Sequence, residues 1–181
     1  MSEPPSFDPG PNHEDVVDLG GIHRWFGIHL NNEAWNVIDQ WTNGTDDQPR
    51  RREEAPYRAY ASVYHWMQVG NPINQGRGEH LVSRTAVLGG FPELAIRPAS
   101  RYLELIDAHP DLAEDWDAYS HEAMARALAM AGEMELATME RAEAEQLCRV
   151  IAEEDRVVVT SELARAPGSD WGPDERDAHR L

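Results

Sequence analysis

Histidine and glutamate are the residues of this chain best suited to hold a metal or move a proton. A neutral imidazole ligates zinc, nickel, copper and iron. His121 and Glu122 begin a zinc-protease motif, but that motif needs a second histidine where this chain has Ala125. What remains is an inter-helix set comprising His65, His80, His121, Glu79 and Glu122. A divalent metal held by this set, or acid and base chemistry by its two glutamates, stays open as an alternative.

Other catalytic signatures are missing from the sequence. There is no glycine-rich phosphate loop, no Gly-x-Ser-x-Gly elbow and no cysteine–histidine nucleophile pair. Cys148 is the only cysteine and stands at an apolar position, which is typical of a small core residue. The sequence therefore favours a binding protein without a cofactor over an enzyme.

Composition restricts the partners. The chain has 33 acidic and 16 basic residues, a formal net charge of −17, and such a surface repels nucleic acids and anionic lipid. No stretch approaches the 18 apolar residues of a membrane span, and the N-terminus lacks the pattern of a secretion signal. A single cysteine cannot form an intramolecular disulfide, which favours a reducing compartment. We expect a cytoplasmic protein with neither nucleic acid nor membrane as its partner.

An internal duplication is the strongest signal for the fold. Residues 84–95 align with residues 126–137 at a constant offset of 42, matching arginine, glycine, glutamate, leucine and alanine. An apolar helix, a glycine turn and a second helix in each unit are typical of stacked helical hairpins. Gly90 and Gly132 suit the turns because glycine accepts positive φ. The small Ala95 and Ala137 would let the second helices pack closely.

Apolar spacing and helix signals predict an all-α protein of stacked antiparallel helical hairpins, with about six helices and a short C-terminal one. Gly20–Leu30 is predicted as an irregular loop, and residues 45–55 as a polar connection. Pro98 is predicted to kink or restart the fourth helix. The predicted helices are a first one from Asn31 or Asn32 through Trp41, then Tyr57–Val69, Pro72–Leu88, Phe91–Ile106, Asp111–Ala131, Met134–Ile151 and Val157–Ala164, the last also compatible with a strand.

A flexible arm (1–19), one helical domain (20–165) and a flexible tail (166–181) complete the expected organisation.

The glycine–alanine pairs, with a small residue at each crossing point (Ser83 or Ala125), resemble degenerate tetratricopeptide repeats (TPR). In that family the first helices of the pairs line a concave groove that binds extended peptides. The resemblance implies that the third and fifth helices present a ligand-binding face made of Arg77, His80, Arg84, Tyr119, Glu122 and Arg126.

Arg84 and Arg126 would then grip a carboxylate through paired N–H···O bonds. The same arginines could instead pair with Glu79, Glu122 or a neighbouring aspartate for structural reasons. We therefore expect a binding or scaffolding module for a protein, a peptide or a small acidic ligand. A structural homo-oligomer, most simply a homodimer with some of the six tryptophans at its interface, is a further alternative.

Overall fold

The computed structural model describes residues 18–45, 49–113 and 116–164. Within these residues every regular element is a helix, which confirms the predicted all-α class. The helices are α1 (Leu19–Thr42), α2 (Pro49–Val69), α3 (Pro72–Leu88), α4 (Pro92–Ala108), α5 (Pro110–Ala113), α6 (Trp116–Met130), α7 (Met134–Leu147) and α8 (Glu153–Ala164).

Three helical hairpins, α1–α2, α3–α4 and α6–α7, form the stack. The second helix of each hairpin contacts the first helix of the next, and the first helices also contact one another. The predicted third and fifth helices are α3 and α6. Arg77 of α3 lies against Trp116 at the start of α6, and His80, three residues further along α3, lies against Glu122, six residues further along α6. Helices α3 and α6 therefore run in the same direction, as expected for two copies of one unit.

The turns of the second and third hairpins have the same backbone geometry. Gly90 has φ of 76° and Gly132 has φ of 84°. Beyond them, the amide of Phe91 donates to the carbonyl of Ala86, and the amide of Glu133 donates to that of Leu128, each at 2.9 Å. This pattern closes a helix whose next residue is in the left-handed region. The predicted glycine turns are confirmed, and so is the burial of Ala95 and Ala137.

Helix α1 corrects the predicted loop over Gly20–Leu30. The helix begins at Leu19, where the Asp18 carboxylate accepts the amide of Gly21 at 2.9 Å as an N-terminal cap. One glycine of this stretch is required by the packing of α1 against α2. At Gly27, an added Cβ would lie 2.8 Å from the ring of Trp66, so the glycine allows α1 and α2 to approach closely.

Two prolines lie inside helices that were predicted to start or break at them. Helix α2 begins at Pro49 and includes Pro56, so the predicted polar connection is helical in its second half. Arg50 and Arg58 each pair with Glu54 four residues away, which supports this extension. Helix α4 continues through Pro98 because Ala95 and Ala99, on either side of it, are completely buried in the core.

The C-terminal boundaries also differ from prediction. Asp111–Ala131 was predicted as one helix, whereas the structure has the short α5 and then α6. Residues 114 and 115 between them lie outside the described residues. Helix α7 ends at Leu147 rather than Ile151, and α8 is a helix that begins four residues before Val157.

The predicted arm and tail fall almost entirely outside the described residues. Of the arm, only Asp18 and Leu19 are described, and Leu19 already belongs to α1.

The core is built from small residues and tight helix contacts. Tyr102 is fully buried, and its ring covers Gly76, where an added Cβ would lie 2.6 Å from it. Gly78 has the same relation to Val63 at 2.8 Å. These contacts fix the glycine-containing start of α3. In the described part of the chain, no helix combines the length and the apolar character needed to cross a membrane.

Candidate functional site

Four of the six predicted ligand-binding residues lie together between α3 and α6. His80 and Arg84 of α3 face Glu122 and Arg126 of α6. All four are buried, and Glu122 has no exposed surface at all. They meet because the 42-residue repeat places residues 80 and 84 opposite their equivalents 122 and 126 in the parallel pair of helices.

Glu122 is the centre of this buried cluster. Its Oε1 accepts hydrogen bonds from Nε of Arg126 at 2.7 Å and from Nη2 of the same guanidinium at 2.5 Å. Nη1 of Arg84 lies 3.5 Å from Oε1, and Nε2 of His80 lies 3.3 Å from Oε2. The glutamate therefore has cationic or polar partners on both helices.

A fifth member, Glu162 of α8, was not predicted. Its carboxylate oxygen Oε2 accepts a hydrogen bond from Nη2 of Arg84. Its backbone carbonyl accepts one from Nη2 of Arg126 at 2.6 Å. The sequence contains a partial signal for it, because Glu162 shares one helix face with the apolar Val159 and Leu163, although the acidic Asp155 lies on that face as well.

Helix α8 lies along α6 in a defined register. The hydroxyl of Tyr119 donates to the Asp155 carboxylate at 3.3 Å, and Arg126 binds Glu162 two turns further along. Both pairs are separated by 36 residues, so α8 and α6 run parallel. Val159 and Leu163 complete the contact and are buried. Helix α8 thus lies along α6 and reaches α3 through Glu162.

The cluster is strongly polarised. Burial by itself would raise the pKa of the Glu122 carboxyl, but Arg126, His80 and Arg84 outweigh that effect and hold the pKa well below its usual range. Burial, and then the neighbouring Arg126, lowers the pKa of the Arg84 guanidinium, although arginine stays protonated in proteins. Glu122 is therefore an anion held by two cations.

Several buried polar atoms of the cluster lack a hydrogen-bond partner among the described residues. They are Nε2 of His80, Nε and Nη1 of Arg84, and Oε2 of Glu122. The 3.3 Å approach of His80 to Glu122 does not have hydrogen-bond geometry. Buried polar atoms are normally paired, so an Arg84 bonded only through Nη2 retains unused capacity for an oxygen ligand.

The other two predicted residues lie beside the buried cluster. Arg77 is exposed, and its guanidinium lies 4.2 Å from the centre of the Trp116 ring in a cation–π contact. Tyr119 is buried, and burial together with Asp155 raises the pKa of its phenol. The ring of His80 stacks on Tyr102 with centroids 5.8 Å apart. These aromatic residues form the end of the site that is nearer the start of α3 and α6.

The alternative metal set is dispersed over several contacts. His65 pairs with His23 at 2.9 Å, and His121 pairs with Glu140 at 2.7 Å. Glu79 pairs with Arg101, and burial raises the pKa of its carboxyl. Within that set, the side-chain approach between different helices is that of His80 to Glu122 at 3.3 Å. Within the described ranges, no three histidine, cysteine or acidic side chains are grouped so that they could hold a metal ion.

In comparisons with known proteins, the chain matches no family model, no curated protein and no solved structure.

Proposed function

We propose that the face of α3 and α6 is a binding site for an acidic helical segment, recognised by Arg84 and Arg126. The observation that carries this proposal is that both arginines already bind such a segment from the same chain. Arg84 bonds the carboxylate of Glu162, and Arg126 bonds the carbonyl of the same residue. In this role α8 is the ligand in cis, and a partner would take its place.

The contacts of α8 define the ligand chemistry. A glutamate lies on the two arginines, with an apolar residue three positions before it and another directly after it, as in Val159, Glu162 and Leu163. An acidic residue seven positions before the glutamate meets Tyr119, as Asp155 does. This is the spacing of an amphipathic helix bound in a groove. The resemblance of the hairpins to tetratricopeptide repeats, whose groove binds peptides, supports the same role.

Because α8 covers the site, binding in trans requires exchange. A tethered segment competes at an effective concentration on the order of millimolar. The apparent affinity for a partner is reduced by the fraction of molecules in which the site is open. Regulation of α8 would therefore regulate binding.

The test uses a fluorescent peptide with the sequence of α8, Glu153–Ala164. Binding is measured by anisotropy with the full chain and with a release variant, Val159→Ala plus Leu163→Ala, which weakens α8 without changing the arginines. We expect the release variant to bind the peptide at least tenfold more tightly than the natural chain does. The opposite order, or no binding to either chain, would contradict the proposal.

Specificity is tested by changing the peptide, because the buried arginines also support the fold. A peptide with glutamine at the position of Glu162 should bind at least tenfold more weakly. The matched control carries glutamine at the position of Glu154, which is exposed on α8 and should bind as the unaltered peptide does. Free glutamate at millimolar concentration should not displace the peptide. If it does, the ligand is a small carboxylate rather than a helix.

A further inference from the structure

The first hairpin, α1–α2, carries exposed aromatic side chains. Among the described residues, five of the six large aromatic side chains that are exposed lie on α1 and α2, and the sixth is Phe91. We define the N-terminal aromatic face as Ile22, Trp25, Phe26, Tyr57, Tyr60, Tyr64 and Met67. Trp25 is 56% exposed and Tyr57 is 76% exposed, although burying such side chains is strongly favourable.

Ring contacts join the α1 part of the face to Tyr64 of α2 through His65. The ring of Trp25 meets Phe26 with centroids 4.9 Å apart, Phe26 stacks on His65 at 5.1 Å, and His65 meets Tyr64 at 5.5 Å. Beside them, Asp18, Gly21, Ile22, Trp25 and Phe26 line a shallow depression of about 310 Å³. A row of rings beside a depression offers both a projection and a recess to a partner.

The size of the face fits a protein interface. A half-exposed aromatic side chain presents roughly 100 Å², since a whole one buries 150–250 Å², so the five aromatic residues present on the order of 500 Å², to which Ile22 and Met67 add. Each partner in a stable complex buries about 800 Å².

The net charge of the chain bears on which partner can cover the N-terminal aromatic face. The chain has a formal charge of −17, yet the seven residues of the face include no aspartate, glutamate, arginine, lysine or histidine. Apposing this face in two molecules places the repelling charges at the rim and beyond it. Among the described helices, the first hairpin contacts the rest of the stack through α3 and forms one end of it. A second hairpin of the same kind has the shape that covers such an end.

We propose that the N-terminal aromatic face binds the same face of a second copy, forming a two-fold dimer. In such an interface the same patch serves both partners, so Trp25 and Tyr64 of each copy pack against the aromatic residues of the other. The dimer is independent of the α3–α6 site, which lies on other helices.

The test measures the mass of the full chain by sedimentation equilibrium between 1 and 100 µM. We expect a concentration-dependent mass approaching twice 20.4 kDa. Trp25→Lys and Tyr64→Lys should each raise the dissociation constant at least tenfold while the helical circular dichroism is retained. The control is Met139→Lys on α7, which changes an equally exposed apolar residue, 64% exposed, by the same charge and should leave the dimer unchanged.

Salt provides a second measurement. Raising sodium chloride from about 50 to 500 mM screens the repulsion between the acidic copies and should strengthen the dimer, whereas an interface of ion pairs would weaken. Four results would overturn the proposal. They are a monomer at 100 µM, a dimer unaffected by either lysine variant, a dimer that weakens with salt, and a monomer that sediments with phosphatidylcholine vesicles through this face.

Discussion

Arg84 and Arg126, equivalent residues of two hairpins 42 positions apart, both bind Glu162 of α8. The repeat brings the two guanidinium groups to neighbouring positions on parallel helices. Two buried cations at one place need acidic partners, and the structure supplies Glu122 from within the stack and Glu162 from outside it. The duplication is thus the physical origin of the site, and α8 is the element that completes it.

Removal of Arg126 should destabilise the fold strongly. Arg126→Ala leaves the fully buried Glu122 with much of its charge uncompensated, and breaking a buried pair in this way costs about 3–5 kcal/mol. Urea unfolding followed by circular dichroism measures the loss. The double variant Arg126→Met plus Glu122→Leu should recover a large part of it, because both charges are then absent. Equal losses in the single and double variants would show that the pair is not the cause.

The burial of Arg84 and Arg126 limits the use of substitutions at these residues in binding experiments. Because both side chains are buried, replacing both by alanine should unfold or loosen the stack. For this reason the peptide, rather than the protein, carries the substitutions in the binding experiment.

Acid should weaken the fold through Glu122. The pKa of this carboxyl is lower in the folded chain than the value of about 4.3 for an unfolded glutamate. Its stabilising contribution is therefore complete above about pH 5 and is lost as the pH falls below 4. The free energy of unfolding measured from pH 7 to pH 3 should fall, and the fall should be shallower in Glu122→Gln. Parallel pH profiles for the two chains would contradict this assignment.

Gly76 should not tolerate alanine. An added Cβ would lie 2.6 Å from the buried Tyr102 ring, and such overpacking costs about 1–3 kcal/mol. Gly20→Ala on α1 is the matched control, because its added Cβ meets only the Asp18 side chain at 3.4 Å and alanine favours a helix. Thermal unfolding should separate the two variants. A Gly76→Ala protein as stable as the Gly20→Ala protein would show that Tyr102 can move aside.

Local pattern predicted the repeat, its turns and four of the five residues that meet in the buried cluster. The constant offset identified Gly90, Gly132 and the two arginines, and these positions proved equivalent in space. Helix boundaries failed where a residue that breaks helices in isolation is held by packing, as Gly27 is against Trp66 and Pro98 is between buried alanines. Such tertiary support leaves no trace in a local window of sequence.

The contact of Glu162 with the two arginines could not be predicted from local pattern, because it depends on where α8 lies. A glutamate on an apolar helix face indicates a buried partner, but the sequence does not say that the partner is 78 residues away on α3. Likewise, the dispersed pairing of His65 and His121 with His23 and Glu140 follows from helix orientation, which histidine spacing alone does not determine.

The proposal that α8 occupies the α3–α6 site and gives way to a second helix is tested by amide hydrogen exchange of α8 in the natural full chain. Exchange is measured with and without a saturating amount of the Glu153–Ala164 peptide. Helix α8 is held by few buried contacts, so its amides report its release. We expect the peptide to accelerate exchange in residues 153–164 of the protein while α3 and α6 keep their protection. Unchanged protection of α8 at saturating peptide would show that α8 is not displaced from the site.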